Sequence, residues 1–72
     1  MPISEADLEN WFTYHSPTAD QLPKYQLIRD AGKAMSLAIL ECCPPSADQT
    51  AAIRKVREAV MTANAAIACG GK

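Results

Sequence analysis

The sequence predicts an all-α fold: a short N-terminal helix, then a long antiparallel helical hairpin, assembling into a compact helical homo-oligomer. Three observations lead there. Apolar residues recur at intervals of three and four over the two longer segments, the period of a helix with one face turned inward. A polar residue able to cap a helix precedes each of the three segments, at Ser4, Thr18 and Ser46. Breakers close them, at Pro17, Pro44-Pro45 and Gly70-Gly71.

The first helix is expected over about residues 4–12. Ser4 can cap it, Asp7 sits at the third helical position, and Ile3 with Leu8 has the spacing of a hydrophobic staple. Pro17 pushes Ser16 out of the α region, which makes Thr13-Tyr14-His15-Ser16-Pro17 a turn. The second helix is expected over about 18–43. Thr18-x-x-Gln21 reads as a capping box, and Pro23, just inside it, removes one early hydrogen bond. Ile28, Met35 and Cys42, interleaved with Ala31, Ala38 and Ile39, follow a near-heptad pattern. Gly32 lowers local helix stability by ~1 kcal/mol relative to Ala, so it marks a place of close backbone approach.

The third helix, about 46–68, opens on a second capping box, Ser46-x-x-Gln49. It carries Ile53, Val56, Val60, Ala63 and Ile67 on one face and a second stripe of Ala52, Ala59 and Ala66. Its length is about 34 Å, long for so small a core. The short Pro-Pro-Ser link makes the two long helices antiparallel neighbours.

One domain of 72 residues is expected, 49% hydrophobic, but thirteen of those residues are alanines that bury little area. A core in so short a chain rarely supplies more than ~3–5 kcal/mol, so disulfides, a metal or self-association must add to it. The cysteines are Cys42, Cys43 and Cys69, an odd number whose first two are adjacent and bridge only with strain. No secretory leader is recognisable, and reduced thiols in a cytosol are expected. Zinc lacks a Cys-x-x-Cys pair, and the single histidine, His15, is remote in sequence; no metal and no cofactor are expected. Self-association remains, and small residues at heptad spacing allow helices to approach closely.

No run approaches 18 apolar residues, so no membrane span is expected. The formal net charge of −1 lacks the broad basic footprint of general DNA or RNA binding. A small anionic ligand needs only a few well-placed cations. The chain shows no nucleophile–base–orienter set, no Gly-rich phosphate loop, no Gly-x-Ser-x-Gly and no carboxylate–histidine cluster. It is therefore not expected to be an enzyme, and no catalytic residue is assigned.

The turn is richer. Trp11, Phe12 and Tyr14, three of the four aromatics, gather with His15 in five residues at a helix end. Such rings offer a stacking face for a nucleobase, at ~1–3 kcal/mol per base. Trp11 and Phe12 read rather as plugs of the hairpin, whereas Tyr14 and His15 lie in the turn itself and carry the functional reading. Lys24, Arg29 and Lys33 follow on the second helix; Lys24 and Arg29 are candidates to meet a phosphate, Arg by a bidentate fork and Lys as a point charge. Arg54, Lys55 and Arg57 form a second cluster, although Arg54 and Glu58 have the spacing of an ordinary i,i+4 pair.

Phe12-Thr13-Tyr14-His15-Ser16-Pro17, then Gln21, Tyr25-x-x-Ile28-Arg29, a Cys-Pro stop, and Val60-Met61-Thr62-Ala63-Asn64-Ala65-Ala66-Ile67-Ala68 together resemble the phage anti-CBASS cyclic-oligonucleotide sponge family. The resemblance spans about Trp11 to Ala68. Thr62 departs from it, standing where many relatives carry a larger aromatic. The resemblance implies a helical homohexamer that sequesters cyclic di- and trinucleotide messengers of bacterial antiphage defence, such as cyclic GMP-AMP, in the cytoplasm of the infected host.

Carried over by position, Tyr14 would stack on a base and Arg29, or Lys24 in its place, would meet a phosphate, with Phe12 and His15 in the same corner. Arg54 or Arg57 would serve a separate trinucleotide site. An isologous interface would offer two copies of the corner to a ligand of approximate two-fold symmetry. The alternative is a small helical adaptor or inhibitor of a host protein.

Overall fold

The computed structural model describes residues 2–72. Helix α1 runs Glu5–Phe12, α2 Leu22–Cys42 and α3 Ala47–Ala68, with no strand among the described residues. Ser4 lies outside α1 as its cap: its Oγ accepts from the Asp7 N–H at 3.1 Å, and Asp7 Oδ2 accepts from the Ser4 N–H at 3.0 Å. Ile3 and Leu8, the expected staple, both stay exposed.

Helix α2 begins four residues later than Thr18 suggests. Thr18 and Gln21 do exchange bonds, Thr18 N–H to Gln21 Oε1 at 3.0 Å and Gln21 N–H to Thr18 Oγ1 at 3.3 Å. Residues 19–21 nevertheless form a turn. Pro23 has no N–H to offer the carbonyl of Ala19. Leu22 N–H still reaches Thr18 O at 3.2 Å, the ladder is interrupted at Pro23, and it resumes where the N–H groups of Lys24 and Tyr25 both reach Gln21 O at 3.0 Å. At the far end Cys43 is extended ahead of Pro44, and the helix stops at Cys42.

Across the corner Ser46 caps α3 by accepting from the Gln49 N–H at 3.1 Å. Gln49 does not close the box. Its Nε2 donates instead to the Cys43 carbonyl at 3.0 Å, tying the start of α3 to the end of α2. At the other end Gly70, at φ +66°, lets the chain turn back, so that Gly71 N–H reaches Ala66 O at 2.9 Å and Gly70 N–H reaches Ile67 O at 3.3 Å. This is a Schellman stop.

The principal packing is α2 on α3. On α3 the face expected from the sequence, Ile53, Val56, Val60, Ala63 and Ile67, is half-buried throughout. On α2 the inward residues are Tyr25, Ile28, Gly32, Ser36 and Ile39, and the row ends on Cys43, the residue that follows the helix. That row corrects the heptad: Met35 is 57% exposed, and Ala31, Ala38 and Cys42 are exposed with it. A straight helix drifts ~20° per seven residues, so a strict heptad row that begins on the seam at Ile28 walks off it. Gly32 is where the helices come closest, since a Cβ there would lie 2.5 Å from Val60 Cγ2. The molecule measures 44 × 31 × 17 Å, and its thinnest dimension is little more than one helix with its side chains. A single layer of helices leaves both broad faces open.

Candidate ligand-binding site

The aromatic corner hangs on the C-terminal end of α3. A helix end leaves its last carbonyls without intrahelical partners, and the Schellman stop occupies only some of them. Side-chain donors from α1 and the following turn also reach carbonyls in and just beyond this helix end. Asn10 Nδ2 donates to Cys69 O at 3.3 Å, Trp11 Nε1 to Lys72 O at 3.0 Å, and Gln21 Nε2 to Ile67 O at 3.2 Å. His15 is half-buried, with Nε2 2.6 Å from Asn10 O. Phe12 and Tyr14, by contrast, are 83% and 82% exposed. Phe12 therefore does not plug the hairpin. Phe12 points outward from the last position of α1, and Tyr14 from the segment that follows.

Trp11 is held by its indole N–H and lines an apolar cleft of about 380 Å³ with Thr62, Ala65, Ala66 and Cys69. Thr62, the departure noted in the sequence, thus stands in the wall of an open cleft. Tyr14 lines neither this cleft nor the neighbouring one beside Asp7 and Asn10.

Lys24 lies exposed in the first turn of α2. Arg29 donates through Nη1 to Gln26 Oε1 at 3.0 Å, and Gln26 in turn donates to Asp30 Oδ1 at 2.8 Å. Arg29, Lys33 and Arg57 line one groove of about 390 Å³, floored by Gly32, Val56 and Val60. Arg57 and Arg54 line an adjoining cleft of about 330 Å³ with Leu40, Gln49 and Thr50. Ile53 and Arg57 belong to both, so four of the seven basic residues share one continuous strip of the hairpin. Sequence reading placed Arg29 and the Arg54–Arg57 cluster at separate sites and gave Lys33 no role. The register set at Gly32 and Val60 brings them together, and no local signal announces it.

The sequence model of the Acb2/Tad1 hairpin domain matches residues 4–68, from the cap of α1 to the last residue of α3. The chain belongs to this family. Acb2/Tad1 is the anti-CBASS cyclic-oligonucleotide sponge family, a binding rather than an enzymatic one. The hairpin of the family name corresponds here to α2, the Pro44-Pro45 corner and α3. No curated protein and no solved structure matches the chain. Among the described residues, no helix is long and apolar enough to cross a membrane, and no three His, Cys, Asp or Glu side chains gather to hold a metal ion.

Proposed function

We propose that this chain captures cyclic di- and trinucleotide messengers without cleaving them and so blocks CBASS signalling in the cytoplasm of the infected bacterium. The observation that carries this reading is the presentation of Tyr14, 82% exposed on a turn fastened from both sides, in a chain of the sponge family. An exposed ring on a backbone tied down by His15 and Gln21 is suited to stack on a base. Phe12 stands beside it. Lys24 or Arg29 meets the phosphate, a choice that single substitutions separate. The strip of Arg29, Lys33, Arg54 and Arg57 is suited to the more highly charged cyclic trinucleotide.

Capture is the work of an assembly in this reading, a homohexamer. A compact monomer of 7.8 kDa exposes about 4,400 Å². This chain exposes 5877 Å², and among the described residues Ile39 is the one buried hydrophobic side chain, still 9% exposed. The surplus of about 1,500 Å² on one protomer is about twice the ~800 Å² that each partner buries in a standard interface, enough for contacts with more than one neighbour. Leu27, Ala31, Met35 and Ala38 on α2, with Ala59 and Ala66 on α3, are part of the exposed apolar surface that neighbouring copies would cover.

Titration calorimetry with cyclic GMP-AMP tests the reading. The protein should bind at low micromolar ligand or better, and Tyr14→Ala should weaken binding about tenfold or more, the loss of one stacking contact. Intact ligand should be recovered after heat denaturation. Absence of heat with the parent protein, or equal binding by Tyr14→Ala, defeats the assignment.

A further inference from the structure

We propose that His15 is a positioning residue: its ring caps the end of α1 through Nε2 and thereby turns Tyr14 outward, so that this nitrogen is not free to meet a ligand. The inference rests on the reading of Tyr14 as the stacking residue. Helix α1 ends without a glycine stop and without a basic residue in its last turn. Its last carbonyls are met from within the following turn instead. Thr13 Oγ1 donates to Glu9 O, and His15 Nε2 lies 2.6 Å from Asn10 O. Thr13 is extended, at φ −92° and ψ 137°, and in extended chain successive side chains point to opposite sides. With the side chains of residues 13 and 15 both folded back on α1, that of residue 14 is driven into solvent. The exposures agree, half-buried for His15 and 82% for Tyr14.

Asn10 joins this cap to the rest of the fold. Its carbonyl receives His15, and its side-chain Nδ2 donates to Cys69 O at the end of α3. A carbonyl oxygen can only accept, so His15 Nε2 must carry a hydrogen. A nitrogen committed to Asn10 has no proton left for a phosphate.

Two measurements test this. Nitrogen-15 NMR of His15 in the free protein should show Nε2 protonated; a bare Nε2 with the proton on Nδ1 overturns the proposal whatever the ligand does. Hydrogen exchange at residues 13–16 should quicken in His15→Ala and return towards the parent rate in His15→Gln, whose amide keeps a donor near the same place. With cyclic GMP-AMP, His15→Ala should bind about 2- to 12-fold more weakly, the worth of one net hydrogen bond, and His15→Gln should recover most of that. Unchanged exchange or unchanged binding in His15→Ala, or a Gln variant as poor as Ala, overturns it. Failure of the parent protein to bind at all sinks the functional reading instead, and the tautomer and exchange data then judge His15 on their own.

Discussion

Replacing Gly32 by alanine sets two effects of opposite sign against each other. Helix propensity favours alanine by ~1 kcal/mol in the interior of α2. Packing opposes it, because the new methyl would sit 2.5 Å from Val60 Cγ2, where an ordinary contact begins at 3.4 Å. Val60 cannot swing aside cheaply, since a β-branched side chain in a helix has essentially one χ1 rotamer. Val56 Cγ1 and Val60 Cβ, both at 3.9 Å, close the remaining space. Overpacking of this kind costs ~1–3 kcal/mol, so the net effect should be a destabilisation of about 0–2 kcal/mol.

At ~4–8 °C per kcal/mol for a domain of this size, Gly32→Ala should lower Tm by several degrees. Thermal unfolding followed by circular dichroism, at fixed protomer concentration, measures it. The sign should invert in the Val60→Ala background, where Cγ2 is gone and only the propensity gain survives. If Gly32→Ala raises Tm in the parent chain, the two helices do not meet closely at this point, and the register drawn from that contact is wrong.

Ser46→Ala removes the cap of α3 and should cost about 1 kcal/mol, with Ser46→Asp retaining most of the stability in urea titrations. Arg57→Glu should weaken capture of a cyclic trinucleotide about tenfold or more while leaving cyclic GMP-AMP binding near the parent value, a contrast calorimetry reads directly. One of Lys24→Glu and Arg29→Glu should weaken cyclic GMP-AMP about tenfold or more, which identifies the phosphate contact; if Lys24→Glu and Arg57→Glu lose both ligands alike, the basic strip and the aromatic corner are not separate sites. Light scattering at micromolar concentration should give a mass several times 7.8 kDa, and a monomer mass would remove the assembly from the proposal.

Much of this chain was legible before any coordinates. The caps at Ser4 and Ser46 and the Gly70-Gly71 stop depend on residues within about a turn of each other, the inward face of α3 on the period of a single helix; the glycine at position 32 marks a close approach, but its partner Val60, across the seam, is not legible from α2 alone. The aromatic corner was legible as a composition. Its construction was not, because the donors that anchor it, Asn10, Trp11 and Gln21, find carbonyls 59, 61 and 46 residues away. The start of α2 was misread because one proline outweighed a well-formed capping pair. The outward turn of Met35 and Cys42 and the meeting of Arg29 with Arg57 follow from how two helices lie against each other. That register is decided by which side chains interlock across the seam, a property of the pair of surfaces that neither helix states alone.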